Sequence, residues 1–172
     1  MPPVWRLVVA VVGLSALSAG CGGWGGEGER QRPTPGSSAV RDVPMKVIQR
    51  EGQTLALVPV SIQGHGPYVF VLDTGASSSV VDDDVASSLG LPRTGEKQTI
   101  SGVVGSEKVP FARLADWRVG DVELGASTPA VVDLDRNGKR TGAKGLLGSD
   151  VLSRFGHITV DYAGGKLRLP AS

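Results

Sequence analysis

The 172-residue sequence predicts an all-β domain carrying one or two short helices, and three observations carry that reading. Glycine and proline are abundant, at 25 and 11 residues, while aromatic residues make up only 5%, a balance that suits many turns between short strands. Apolar runs rich in Val, Ile and Leu recur along the chain with turn residues between them. Only two stretches read as helices, so a barrel or sandwich is expected rather than a βαβ protein.

The N-terminus is expected to be an export signal. In residues 1–20, Arg6 precedes an apolar stretch from Leu7 to Leu17, and small residues follow, the order of a secretory signal. The run is shorter than the ~20 residues a spanning helix needs. Leu17-Ser18-Ala19-Gly20-Cys21 resembles a bacterial lipobox, which implies that Cys21 is diacylated and becomes the new N-terminus. Ser18 stands where that signal usually has Leu, and Ala16-Leu17-Ser18 also fits an ordinary small-x-small cut. Lipidation would make the product a membrane-anchored lipoprotein of a bacterial cell envelope, on its periplasmic or extracellular face. Residues 21–44 are dense in Gly, Pro, Ser and charge without an apolar period, as expected of a disordered tether with a reach on the order of 25 Å. Gly20-x-Gly22-x-x-Gly25 spells a dinucleotide fingerprint, but no strand precedes it and no helix follows.

The folded domain is expected over residues 45–172, enough chain for one core. Residues 55–62 and 68–72 are β-rich runs flanking the hairpin signature Gln63-Gly64-His65-Gly66-Pro67. Further strands are expected at 98–103, 107–119, 122–124, 130–134, 145–147, 157–162 and 166–169, most of them separated by turn signals such as Gly120-Asp121 and Asn137-Gly138. One helix is expected at 83–89, started by an Asp cap and stopped by Gly90 and Pro92, and a second short turn at 149–154.

Composition narrows the function. With 18 Lys+Arg against 17 Asp+Glu, the chain has no electrostatic footprint for nucleic acid and no polybasic patch for anionic lipid. Two His and one Cys exclude zinc-finger and four-cysteine sites and any intramolecular disulfide, so neither metal nor cofactor is expected. Asp133-x-Asp135-x-Asn137-Gly138 opens like a calcium loop, but Lys144 stands where the bidentate Glu is needed. Asp82-Asp83-Asp84 reads as a helix N-cap and first turn rather than a metal site. His65 and His157 stand apart without partner ligands, and no G-x-S-x-G or P-loop motif occurs.

The sharp signal is Val69-Phe70-Val71-Leu72-Asp73-Thr74-Gly75-Ala76, a carboxylate placed directly after a continuous apolar run. Such a run implies a strand covered on both faces, so Asp73 emerges at the end of a buried element. Gly75 permits close backbone approach and Thr74 offers a hydroxyl to lock the loop.

This segment resembles the active-site motif of the retropepsin-like aspartic proteases, the single-lobe relatives of the pepsin fold. Further segments follow in that family's order. Ile100-Ser101-Gly102-Val103-Val104-Gly105 resembles the flap, a glycine-containing hairpin over the substrate. Leu146-Leu147-Gly148, followed by Ser149-Asp150-Val151-Leu152, resembles the strand and helix beside the active-site loop. Residues 78–91 resemble the strand and short helix that bacterial members place after the motif. The resemblance implies a closed acid-protease barrel in which Asp73 is catalytic, with Thr74, Gly75 and Ala76 forming its loop. A single Asp-Thr-Gly further implies a symmetric homodimer that brings two Asp73 together to cleave protein or peptide substrates. The rival expectation is a non-catalytic envelope lipoprotein using the barrel as a binding or assembly module. The hairpin over 155–169 is longer than the single C-terminal strand of viral members, which interleave their termini.

Overall fold

The computed structural model describes residues 39–50, 52–102, 105–135 and 142–170. The expected signal segment, Cys21 and most of the tether lie outside these residues, as do Val103 and Val104 and the centre of the Asp133–Lys144 segment. No helix among the described residues is long and apolar enough to cross a membrane.

Two short strands, β1 (Val40–Pro44) and β2 (Lys46–Arg50), precede the long hairpin of β3 (Gln53–Ile62) and β4 (His65–Leu72). β5 (Val80–Asp82) runs directly into α1 (Asp83–Ser88), and a second hairpin follows, β6 (Arg93–Gly102) and β7 (Gly105–Ala112). The strands β8 (Trp117–Val119), β9 (Val122–Glu123) and β10 (Ala130–Val132) lead to β11 (Gly145–Leu147). α2 (Ser149–Leu152) continues into a 3₁₀ turn, and β12 (Thr159–Asp161) and β13 (Lys166–Pro170) form the last hairpin. The all-β expectation with two short helices holds.

Period-two alternation explains why β3 and β4 nucleate the core. Ala56, Val58, Val60 and Ile62 are buried on one face of β3, while Leu55, Leu57 and Pro59 stand half-buried on the other. Pairing of Val58 with Phe70 and of Leu57 with Val71 keeps the two faces aligned across the hairpin. The inner face packs against Trp117, Val119, Leu114 and Leu147. Trp117 satisfies its indole N–H on the Gly125 carbonyl at 2.7 Å, so its burial leaves no orphan donor.

The main sheet has ten strands, ordered β6-β7-β10-β5-β11-β4-β3-β8-β9 with β2 joined to β3, and it curls into a half-barrel around this core. Two of its pairings are parallel, β4 with β11 and β5 with β10. A separate three-stranded sheet is ordered β1-β13-β12. Its inner face contributes Val43, Leu167 and Leu169, all fully buried. Its other face is charged: Lys166 and Arg168 both donate to Asp42, at 3.1 and 3.2 Å. The Lys166 hydrogen bond is the main cause that holds the Asp42 carboxyl below its usual range.

Four expectations need correction. Residues 40–44, expected in the tether, form a strand, because Val40–Pro44 pairs residue for residue with β13. Residues 46–50 form a strand that no sequence pattern announced; it pairs with β3. The expected single run over 107–119 is two strands: after Ala112 the chain turns, Leu114 bridges to Ser127, and Trp117 resumes beside β3. Asp82 does occupy the N-cap position of α1, but its side chain makes no capping bond. Its carboxylate is 2% exposed and instead accepts from the Leu134 N–H at 3.1 Å and from Lys144 Nζ at 3.0 Å. Asp83 and Asp84 fill the first turn as expected, Asp83 pairing with Arg93 at 2.8 Å.

Two outcomes follow from this packing. A Cβ added at Gly145 would overlap the Phe70 ring and lie 2.6 Å from the Val80 carbonyl oxygen, so Gly145→Ala should lower stability by about 1–3 kcal/mol in urea denaturation. The hydrogen bond to Asp82 is the main cause that raises Lys144 above its ordinary value of 10.5. A raised cation stabilises the fold fully below the unfolded value and ceases to do so as pH climbs through the folded one. The thermal midpoint should therefore fall more steeply above about pH 10.5 in the wild type than in Lys144→Met.

Candidate active site

Asp73 sits one residue beyond β4, half-buried, where the parallel pairing with β11 ends. Its own N–H extends that pairing by donating to the Leu147 carbonyl at 3.0 Å. The strand thus delivers the carboxylate with its backbone already fixed. The chain then turns: the Gly75 N–H donates to Asp73 Oδ1 at 2.9 Å and the Ala76 N–H to the Asp73 carbonyl at 3.3 Å. Thr74, Gly75 and Ser77 are exposed, so the loop presents its motif at the surface of the single chain. Gly75 lies outside the left-handed region; what its site restricts is space, since a Cβ there would lie 3.3 Å from Asp73 Oδ1.

Leu146-Leu147-Gly148 lies beside this loop, as the sequence suggested. Leu147 is buried in the core and Leu146 is half-buried on the opposite face, paired with Val71. Gly148 is a point of close approach, because a Cβ there would come within 2.8 Å of the Ser78 backbone. Just after it, Ser149 donates both its N–H, at 2.8 Å, and its hydroxyl, at 2.9 Å, to the Ala76 carbonyl. Helix α2 is therefore bolted to the far side of the Asp73 loop.

Ser79 completes the support and was missed by sequence reasoning. It is fully buried; its hydroxyl accepts from the Gly148 N–H at 3.0 Å and donates to Asp150 Oδ1 at 2.8 Å. In the sequence it is one of three consecutive serines, and nothing local separates it from exposed Ser77.

The residues expected to form a flap lie in an antiparallel hairpin: Ile100 pairs with Glu107 and Gly102 with Gly105, while Val103 and Val104 fall outside the described residues. The hairpin reaches the Asp73 loop through the sheet, β7 pairing with β10 and β10 with β5, the strand that leaves the loop. Beside the loop, on the outer face of the sheet, is an apolar cavity of about 220 Å³ lined by Leu57, Val71, Val80, Leu134, Ala143 and Leu146 among others. Two of its lining residues flank the Asp73 position: Val71 lies two residues before it, and Leu146 precedes the Leu147 whose carbonyl accepts the Asp73 N–H. A larger groove of about 530 Å³ near Pro59, Tyr68 and Val69 lies toward the hairpin end of the same strands, away from Asp73. Among the described residues no three His, Cys, Asp or Glu side chains converge as a metal site.

Ser79→Ala should leave the Gly148 N–H and Asp150 without their partner in a buried setting. The expected cost is about 1–3 kcal/mol of stability, with faster amide exchange at Gly148 as the local readout.

The comparisons with known proteins bear on this geometry. A family model described as aspartyl protease matches residues 58–151, a span that runs from β3 through the Asp73 loop to Gly148 and α2. A solved structure of a retropepsin-like aspartic protease from Rickettsia conorii is similar, at 23% identity and a TM-score of 0.52, over 77% of this chain and 93% of that one. A comparison with curated protein sequences gave no match. The structural likeness speaks to the fold, which is retropepsin-like. Because the family match covers more than half of the sequence and contains the whole loop and its supporting strand, the chain belongs to the aspartyl protease family.

Proposed function

We propose that this protein is an aspartic endopeptidase that works as a homodimer on protein or peptide substrates, held at a bacterial envelope membrane through lipidated Cys21. The observation that carries the catalytic part is the placement of Asp73: a rigid backbone fixes it, and its loop is exposed where a second copy can approach. One Asp-Thr-Gly supplies one carboxylate, and the water-activating chemistry needs two.

In the proposed dimer the two Asp73 carboxylates share one proton, because like charges a few ångströms apart do not both ionise cheaply. The ionised member takes a proton from a bound water, which attacks the scissile carbonyl carbon. The protonated member donates a hydrogen bond to the carbonyl oxygen and stabilises the charge that develops there. Collapse of the tetrahedral intermediate breaks the C–N bond as a proton passes to the leaving amine. Each Thr74 lies exposed at the loop, and in the proposed dimer it would brace its counterpart across the two-fold axis.

The terminal strands pair within one chain as β1 with β13, so interleaving of termini between copies is not the expected route to the dimer. Among the described residues the outer edges of β1 and β12 have no strand partner, and in the proposed dimer they would pair with a second copy. A lipid anchor would confine the chains to two dimensions and raise their effective concentration.

The test combines one substitution with one dilution series. Asp73→Asn should abolish peptide cleavage, by at least about 10²-fold, with unchanged thermal stability. Wild-type activity per chain should fall as the protein is diluted below its dimer dissociation constant. Cleavage that survives Asp73→Asn, or activity per chain independent of concentration in a demonstrated monomer, would overturn the reading.

A further inference from the structure

Ser79 and Asp82 are the buried polar residues among those described, and they lie at the two ends of the same short strand. Ser79 serves the catalytic loop. Asp82 has no part in the mechanism, yet a buried carboxylate is costly unless its partners are well placed. Its partners belong to two separate stretches of chain. Oδ2 accepts from the Leu134 N–H at 3.1 Å, and Oδ1 accepts from Lys144 Nζ at 3.0 Å. Lys144 Nζ also reaches Asp135 at 3.2 Å, and the Asp82 N–H donates to the Lys144 carbonyl at 3.0 Å. The Lys144 N–H donates in turn to the Val69 carbonyl at 2.7 Å.

Both stretches contribute to the cavity beside Asp73. Leu134 and Ala143 form one side of it, facing Val71, Val80 and Leu146. Among the described residues the lining carries no charged or polar side chain, and its volume of about 220 Å³ exceeds the ~150 Å³ at which a dry apolar cavity takes up benzene. A leucyl or phenyl group fits such a space; a carboxylate or ammonium would enter it unpaired.

On the peptidase reading above, we propose that Asp82 and Lys144 are positioning residues for substrate specificity: they hold Leu134 and Ala143 as the wall of a subsite for a large apolar side chain near the scissile bond. The pair touches neither substrate nor reacting atoms. A general gain in stability does not require an ion pair here, since well-packed apolar residues at a buried site serve as well or better. What the charged pair adds is direction: one carboxylate accepts from a backbone N–H of the first stretch and from the Lys144 side chain of the second.

The test uses the full-length chain with matched peptides that carry Ala, Leu, Phe or Asp at one position near the cleavage site. A parallel set replaces the scissile bond by a non-cleavable –CH₂–NH– link and is measured by calorimetry. Wild type should prefer Leu or Phe over Ala by about tenfold or more and reject Asp. In Lys144→Met and Asp82→Leu that preference should fall about tenfold, through KM rather than kcat. Asp82→Asn, which keeps an oxygen for the Leu134 N–H, should be intermediate, and it serves if the harsher variants do not fold. An unchanged Leu/Ala ratio in folded variants whose thermal midpoint has dropped would make the pair merely structural and overturn the proposal. So would a wild type that binds the four non-cleavable peptides alike. If wild type binds Leu and Phe peptides selectively, loses that selectivity in the variants, yet cleaves nothing or still cleaves as Asp73→Asn, the wall assignment stands and the catalytic reading falls.

Discussion

The structure depends on three residues of β11 held between β4 and β5. Gly145, Leu146 and Leu147 run parallel to Phe70, Val71 and Leu72 and antiparallel to β5. Nearly everything else in the sheet is antiparallel, and parallel neighbours require a long connection. That connection is the chain from Asp73 to Lys144, which builds the β6–β7 hairpin and most of the half-barrel before returning. The register is fixed by volume. Gly145 lies where any side chain would strike Phe70, and Leu147 fills the core that a one-residue slip would leave to half-buried Leu146. With the register set, the Asp73 N–H meets the Leu147 carbonyl, and the carboxylate has one place to be.

Strand β5 closes this arrangement from the other side, and its two polar ends explain how. Because β5 runs antiparallel to β11, Ser79 falls beside Gly148 at one end and Asp82 beside Lys144 at the other. Each buried polar group satisfies backbone or side-chain partners across the ladder. The three-residue strand, too short to hold itself by ladder bonds, is fastened at both ends. Buried polar groups of this kind are costly when unpaired and strongly orienting when paired. Here one end orients the Asp73 loop and the other orients the apolar wall near it.

How much of this was legible in the sequence depended on distance along the chain. The β3–β4 hairpin, the Leu146-Leu147-Gly148 run and both helices are written in neighbouring residues and were found where expected. The apolar run before Asp73, however, is not covered on both faces as its composition suggested: Phe70 is buried while Val69 is 40% exposed. β1 was not expected, because Val40-Arg41-Asp42-Val43-Pro44 has no strong alternation of its own and becomes a strand through β13 at the opposite terminus. Asp82 was read as a helix cap because capping is a local rule; the lysine that claims it is 62 residues away. Ser79 was hidden among serines for the same reason, since its partners are some 70 residues downstream. Local grammar specified the turns and strand ends, and the buried polar contacts came from topology.

The same topology separates two properties that are often entangled in an active site. The bonds that fix Asp73 come from its own chain: Leu147 behind it, Ser149 and Gly148 beyond its loop, Ser79 beneath. The exposed side of the loop adds one more bond from the same chain, from the Gly75 N–H to Asp73 Oδ1 at 2.9 Å. A single chain therefore already holds the Asp73 loop in place, and an association such as the one proposed need not pay to order it. In the proposed dimer the second chain supplies a carboxylate and a proton-sharing partner rather than a scaffold. In that proposed dimer the preorganised halves would lose little conformational entropy beyond the translational and rotational cost of association itself, which favours a catalytic pair formed across a two-fold axis from one short motif.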